Sequence, residues 1–169
     1  MPELPRLEDL FGTALVIPDA IPRGQLAMAR ERLTGWQRYA LLDRGSYEWI
    51  DDVDVLRREI VELAERVTSR TGLAIRECRA LRLVAGDYLL AHHDRLHDDN
   101  PVEVMVDLSP APASAEVHYR RRGQTFLRVP SVPGTAAVVE RGPSITCNHT
   151  YVSKRDPATC AIRLVALLK

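Results

Sequence analysis

The chain has 169 residues, of which 46% are apolar and 27% charged, and its 23 basic side chains balance its 23 acidic ones. Such a chain fits a single globular domain with a real core. Charge neutrality argues against nucleic acid or an anionic membrane as a partner. No apolar run is long enough to span a bilayer, no secretory signal is visible at the start, and three scattered cysteines suit a reducing compartment. We therefore expect a cytoplasmic protein.

In chain order, the first half predicts helices mixed with short strands. A strand is expected in "GTALVIP", which ends at Pro18, and a helix in "PRGQLAMARERLTG", with proline near its start and Gly35 beyond its end. A second strand is predicted in "WQRYALLD". The clearest helix is "DDVDVLRREIVELAERVTSRTG", because its apolar residues recur at helical spacing, acidic residues open it and Gly72 can close it.

From Ile75 onward the pattern changes to short strands separated by turn residues. The strand-like segments are "RALRLVAG", "YLLAHHD", "VEVMVDLS", "AEVHYR", "TFLRVPS", "TAAVVE", "SITCNHTYV" and "CAIRLVALL". Many short, regularly spaced strands indicate an antiparallel sandwich or barrel. We expect a single domain over residues 1–169, with an α/β support region over about 1–74 packed on a β-rich core over about 75–169.

One segment, "GDYLLAHHDRLHDD", contains three histidines and four aspartates. If it continues as a strand, His92 and Asp94 share a face and His93 points to the other side. An imidazole and a carboxylate at this spacing can hold one cation, but a metal needs further ligands. His149, in another strand pattern, supplies a second imidazole. Two histidines and one carboxylate form the facial triad of non-haem Fe(II) centres that activate oxygen.

Arg163 is the only charged residue in the strand pattern "CAIRLVALL". A buried arginine needs an anionic partner, since an unpaired buried charge is costly. No fixed acidic partner is evident from the sequence. Because a planar guanidinium suits a carboxylate in two-pronged fashion, a dicarboxylate co-substrate would supply that partner.

These residues resemble the Fe(II)- and 2-oxoglutarate-dependent dioxygenases, particularly their prolyl 4-hydroxylase-like branch. His92-His93-Asp94 matches the HxD pair of that family, His149 its distal histidine, and Arg163, fourteen residues further on, its 2-oxoglutarate anchor. Gly86 stands where the branch has a glycine, and "VPGTAAVVERG" is similar to the segment before the distal histidine. The resemblance covers most of the chain.

The resemblance implies a mostly β protein with N-terminal α support: a double-stranded β-helix (jelly-roll, cupin-like) in an α+β single domain. It implies Fe(II), 2-oxoglutarate as co-substrate and O2. The implied metal ligands are His92, Asp94 and His149, and the implied 2-oxoglutarate contacts are Arg163 and Tyr88. The retained Asp94 argues against the halogenating subgroup.

The sequence also departs from the branch. Leu83 takes the place of one of its tyrosines, and Tyr88 sits one position early relative to another. The Gly-Gly-acidic segment of the family is replaced by "ASAEVHY". Tyr88 is therefore expected either to contact the co-substrate or to fill the core.

Several residues have both a functional and a structural interpretation. The candidate substrate contacts are Arg79, Arg82, Arg128 and Trp49. Trp49 belongs to an aromatic group with Trp36, Tyr39 and Tyr47, for which core packing is favoured over a substrate wall. His149 could instead be a core histidine, and Arg163 a structural ion-pair partner. Residues 97–99 are expected in a solvated loop, and residues 120–122 in an exposed hairpin turn.

The expected activity is hydroxylation of a small molecule, such as an amino acid or a natural-product intermediate, with release of succinate and CO2 by a monomer or homodimer. The nearest enzymatic alternative is a peptidyl or protein side-chain hydroxylase. A cupin-like module that binds a metal or ligand without catalysis, and a purely structural β-sandwich, are alternatives from other classes.

Overall fold

The computed structural model describes residues 14–169, together with every side chain in that range except that of His93. Gly12 and Thr13 of the first predicted strand lie outside the described residues. Two α-helices within this range are α1 (Arg23–Glu31) and α2 (Arg57–Thr68). The strands are β1 (Ala14–Ile17), β2 (Gln37–Leu41), β3 (Gly45–Ile50), β4 (Ile75–Val84), β5 (Tyr88–Leu89), β6 (Val102–Asp107), β7 (Ala113–Arg121), β8 (Gln124–Ser131), β9 (Ala136–Glu140), β10 (Ile145–His149) and β11 (Cys160–Leu168).

All the strands belong to one antiparallel sheet with the order β1-β9-β6-β11-β4-β3-β5-β10-β7-β8, and β2 pairs with β3. The sheet folds back on itself, so that β4, β6, β9 and β11 face β7, β8 and β10 across an apolar inner core. The outer face of β4, β6, β9 and β11 packs against α1 and α2 in an outer core. This architecture confirms the expected double-stranded β-helix with helical support.

The alternation of side chains along β4 shows how one strand serves both cores. Leu81 and Leu83 point into the inner core, whereas Cys78 and Ala80 point to the outer core beneath the helices. Strand β4 thus contributes to a core on each face, although three arginines and one glutamate are among its ten residues.

Helix α2 begins later than its hydrophobic periodicity predicts. Residues 51–56 are not helical; the amide of Val53 donates to the carbonyl of Cys78, and Leu56, at the helix start, has φ +54°. Val53 and Val55 are nevertheless buried in the outer core. The periodic pattern thus identified core residues correctly, but the contact between Val53 and β4 moves the start of the helix to Arg57.

Two further features of the chain bear on the sequence analysis. Strand β3 was not predicted, although it joins β4 and β5 in the sheet. The expected exposed turn after "AEVHYR" is confirmed: Arg122 and Gly123 have φ +50° and +79° between β7 and β8, as a two-residue hairpin loop requires. Neither helix in residues 14–169 has the length and apolar composition of a membrane-spanning segment.

Candidate functional site

A small cavity lined by ionisable side chains lies between the two halves of the sheet. Its volume is about 20 Å³, which is room for a single water molecule. Its polar and ionisable lining residues are Arg79, Asp94, Glu103, Tyr119, Arg141, Cys147 and His149. Such a concentration of buried ionisable groups marks this central cavity as the candidate functional site.

Asp94 reaches the central cavity from a short turn and not from a strand. Strand β5 ends at Leu89, and Ala91–His93 form a 3-10 turn in which the amide of Asp94 donates to the carbonyl of Ala91. The strand predicted for "YLLAHHD" is therefore wrong beyond Leu89, so the rule that residues two apart share a face does not apply. Asp94 points inward, whereas the ring of His92 is exposed and donates to the carbonyl oxygen of Asp43 at 2.9 Å.

The carboxylate of Asp94 is held by two donors. Its Oδ2 accepts a hydrogen bond from the amide of Cys147 at 2.6 Å and another from Nη2 of Arg141. Burial, opposed by the Arg141 guanidinium, raises the pKa of Asp94 to about 6. Asp94 therefore lies in the lining of the central cavity, where it is paired with the guanidinium of Arg141.

Arg141 and Glu103 are functional-site residues that the sequence analysis did not single out. Arg141 is almost completely buried, and its Nη1 donates to Oε2 of Glu103 at 2.6 Å. The other oxygen of Glu103 accepts a hydrogen bond from the hydroxyl of Tyr119 at 2.5 Å. The available signal was an isolated acidic residue within the apolar pattern "VEVMV", since a buried carboxylate needs a buried partner.

His149, at the end of β10, is fully enclosed and also engaged by an arginine. Nη1 of Arg163 donates to Nδ1 of His149 at 2.7 Å. Arginine can only donate, so the proton of the neutral ring resides on Nε2. Burial, reinforced by Arg163, lowers the pKa of His149 well below its usual value, which keeps the ring neutral. In this arrangement Nε2 is a donor and offers no lone pair to a metal.

Arg163 is fully buried on β11, as expected, but it does have a fixed acidic neighbour. Asp107 on β6 lies opposite it in the register of the sheet and is also fully buried. Nη2 of Arg163 additionally donates to the hydroxyl of Ser131 at 2.5 Å. The sequence shows no acidic partner for Arg163, because the proximity of Asp107 depends on a strand register; among the described residues the two side chains form no direct ion pair, and Oδ2 of Asp107 and Nε of Arg163 have no hydrogen-bond partner.

The other candidate ligand-binding residues divide between the cavity and the surface. Arg79 lines the central cavity. Arg82 points to the opposite face of β4, where it pairs with Glu48 at 2.6 Å and lies over the ring of Trp36. Arg128 is exposed on β8, and the hydroxyl of Tyr88 donates to the carbonyl of Leu42 at 2.7 Å. Of these residues, Arg79 is the one that lines the same cavity as Asp94 and His149.

The predicted aromatic group does not form one cluster. Trp49 and Tyr47 pack against the inner core, whereas Trp36 packs against the outer core.

The prediction that His97 lies in a solvated loop is wrong, because its side chain is buried and only 8% of its surface is exposed. Burial and the nearby Arg141 lower its pKa, and His97 lines a separate pocket together with Arg76, Arg95 and Lys169. Its neighbours Asp98 and Asp99 are exposed, as expected.

The side chains of the predicted triad are of types that bind Fe(II), but their arrangement in the structure is not that of an iron site. Asp94 is bound by Arg141, His149 presents an N–H at Nε2, and His92 is turned toward Asp43. Within residues 14–169, no three His, Cys, Asp or Glu side chains are grouped so that they could hold a metal ion. In this conformation the described side chains do not form an iron site.

The same fold occurs in solved structures of 2-oxoglutarate-Fe(II) oxygenases. A prolyl-4-hydroxylase from Pseudomonas putida matches with a TM-score of 0.71 and 16% identity over 96% of each chain. A 2OG-Fe(II) oxygenase family oxidoreductase from Burkholderia pseudomallei matches with a TM-score of 0.69 and 13% identity, covering 96% of this chain and 87% of that one. The epimerase SnoN from nogalamycin biosynthesis matches with a TM-score of 0.65 and 12% identity, covering 93% and 78%.

No protein-family model and no curated protein matches the sequence. At these identities the similarity concerns the fold. The suspected resemblance to the prolyl 4-hydroxylase-like branch is confirmed at that level: the chain has the fold of the 2-oxoglutarate-Fe(II) oxygenases.

Proposed function

We propose that the protein is an Fe(II)- and 2-oxoglutarate-dependent oxygenase that acts on a small molecule. The observation that carries this proposal is the convergence of Asp94 and His149 on one buried cavity, in a fold shared with such oxygenases. These residues are distant in sequence, and their types match the family pattern. Arg163, the candidate anchor for the co-substrate, contacts His149 directly.

The proposed ligands are His92, Asp94 and His149, and their assembly requires side-chain movement. The exposed ring of His92 would turn away from Asp43, Arg141 would release Asp94, and Arg163 would release Nδ1 of His149. The release of His149 by Arg163 would be coupled to binding of the co-substrate. A carboxylate of 2-oxoglutarate is a stronger partner for a guanidinium than a neutral imidazole. Tyr88 remains a proposed co-substrate contact only if it also leaves Leu42.

The small size of the central cavity also indicates that side chains would have to move before a ligand could bind. About 20 Å³ is far below the roughly 300–1,000 Å³ of ordinary ligand pockets. A binding pocket would form only if side chains move, such as that of Arg141, which lines the cavity, and that of Arg163, which contacts His149. Arg79 is the best placed of the proposed substrate contacts, and it would suit a substrate carboxylate such as that of an amino acid or biosynthetic intermediate. Hydroxylation of that substrate, with succinate and CO2 as co-products, is the proposed reaction.

A second candidate, a β-helix module without catalytic activity, is favoured by one specific observation. Asp94 and His149 are already satisfied by the chain's own arginines. Buried polar groups that are fully paired stabilise a unique fold without any ligand. A module of this kind would need neither iron nor a keto acid.

Anaerobic addition of Fe(II) and 2-oxoglutarate, followed by visible spectroscopy, separates the two candidates. The oxygenase should give a weak charge-transfer band that is lost in Asp94→Ala, His149→Ala and His92→Ala. His118→Ala is the matched control, since His118 pairs with Glu116 away from the cavity. A band that persists in His92→Ala would remove that residue from the ligand set. No band and no 2-oxoglutarate-dependent oxygen consumption in the wild-type protein would favour the non-catalytic module.

The substrate class needs its own measurement. Succinate release would be compared across a panel of free amino acids and then across peptides. Stimulation by a free amino acid would support the small-molecule assignment, whereas stimulation by peptides alone would support a peptidyl hydroxylase.

A further inference from the structure

Arg141 is the cation that binds Asp94 in the structure. Its Nη2 contacts the Oδ2 atom of Asp94, the same oxygen that accepts from the amide of Cys147. Cys147 lies two residues before His149 on β10, so both side chains point to the same side of that strand. Asp94 therefore contacts the strand that carries the second candidate ligand directly, and the same carboxylate oxygen also accepts from the guanidinium of Arg141.

We propose that Arg141 is an internal competitor of the metal, whose guanidinium must leave Asp94 before a divalent cation can bind there. This inference rests on the proposed function, because it takes Asp94 as a ligand. It adds a residue that limits metal affinity and stabilises the metal-free protein.

The charges around Arg141 would allow its guanidinium to remain bound to Glu103 when it leaves Asp94. Asp94 and Glu103 are both largely buried, and the guanidinium bridges them. Arg141 is the cation that contacts both carboxylates, whereas Arg79, the other arginine of the cavity lining, is exposed. Nε of Arg141 is itself buried without a hydrogen-bond partner among the described residues, so the guanidinium is not fully satisfied where it lies.

Glu103 provides the means of release. It holds Nη1 of Arg141 at 2.6 Å, through a different nitrogen from the one that contacts Asp94. Tyr119 fixes the other carboxylate oxygen of Glu103. Arg141 could therefore rotate away from Asp94 and keep Glu103 as its counter-ion, so that no charge is left unpaired when Asp94 accepts a metal.

The test is the affinity for Mn(II), which binds oxygen and nitrogen ligands without reacting with oxygen, measured from the electron paramagnetic resonance signal of the free ion. Arg141→Met should bind Mn(II) about tenfold more tightly than the wild type, because one charge-assisted hydrogen bond no longer has to break. Arg79→Met is the matched control: it removes a guanidinium from the same cavity without freeing a carboxylate, and it should leave the affinity nearly unchanged. Adding Asp94→Asn to Arg141→Met should abolish the gain.

Thermal unfolding gives a second readout that does not depend on activity. In the presence of a chelator, Arg141→Met should unfold at a lower temperature than the wild type, and Mn(II) should reduce the difference. If that variant does not fold, Arg141→Gln replaces it; its amide keeps a donor for Glu103 but carries no charge, so it should also bind Mn(II) more tightly than the wild type.

The outcomes separate the two proposals. Equal Mn(II) affinity in the wild type and Arg141→Met, or in the wild type and Arg141→Gln where that variant is used, would overturn the competition and leave the proposed function standing. A gain in Arg79→Met as large as that in Arg141→Met would also overturn it, since the effect would then be one of net charge. Absence of Mn(II) binding in all variants would overturn both proposals.

Discussion

Asp107 on β6 faces Arg163 on β11 across the sheet, and neither side chain is exposed to solvent. Burial lowers the pKa of Arg163, and Asp107 acts in the opposite direction. Burial likewise raises the pKa of Asp107, against the effects of the Ser109 hydrogen bond and of Arg163. Each charge therefore favours the charged form of the other, although Oδ2 of Asp107 and Nε of Arg163 have no hydrogen-bond partner among the described residues.

The first prediction concerns the stability of this pair. Arg163→Met should lower the free energy of unfolding by about 3–5 kcal/mol, because it leaves Asp107 buried without a counter-charge. The double variant with Asp107→Asn should recover a large part of that loss. Urea unfolding of the wild type, both single variants and the double variant gives the coupling energy. A coupling energy near zero would mean that the two charges do not stabilise each other.

The same pair predicts an effect on the co-substrate. If Arg163 binds 2-oxoglutarate, Asp107 competes with the incoming carboxylate for the same guanidinium. Asp107→Asn should then bind 2-oxoglutarate several-fold more tightly than the wild type, and Arg163→Met should not bind it, as measured by calorimetry in the presence of Mn(II). Weaker binding by Asp107→Asn would show that the carboxylate positions Arg163 for the ligand and does not compete with it.

The sequence identified Arg163 as a buried arginine but could not identify its neighbour. A lone charge in an apolar strand is visible in one segment, whereas the pairing with Asp107 depends on which residues of β6 and β11 stand opposite each other. The same limit explains why Arg79 and Arg82 could not be separated. They lie three residues apart on β4 and therefore on opposite faces, and only the packing of helices on one face shows which of them reaches the cavity.

The β-rich fold and the location of His149 in a strand followed from local patterns, and the position of His92 did not. Strand periodicity predicts side-chain direction only while the strand continues, and β5 ends at Leu89. The turn that follows is held by the amide of Leu90, which donates to the carbonyl of Arg44 in the loop before β3. Because that contact joins residues distant in sequence, nothing in "YLLAHHD" itself indicates where the strand stops.

A third prediction concerns pH. Burial beneath α2 raises the pKa of Cys78 to about 11, above the ordinary value of roughly 8.5 for a thiol. The folded protein therefore retains this proton at a pH where the unfolded chain has lost it. Retention of this proton therefore makes a contribution to the free energy of unfolding that is complete below about pH 8.5 and is lost as the pH rises through about 11. Urea unfolding between pH 8 and 11 should show a shallower decline in Cys78→Ala than in the wild type, and identical declines would contradict the prediction.

The last prediction concerns the joint between β3 and β5, which sets the start of the turn that carries His92 and Asp94. A Cβ atom at Gly45 would lie 2.7 Å from the carbonyl oxygen of Tyr88, so Gly45→Ala must push the two strands apart. We expect a loss of about 1–3 kcal/mol in the free energy of unfolding, and faster hydrogen exchange at the amide of Leu90. Gly24→Ala is the control, since nothing lies within 4 Å of its Cβ position in α1; it should be neutral or slightly stabilising. Unchanged exchange at Leu90 in Gly45→Ala would show that the turn is positioned independently of β3.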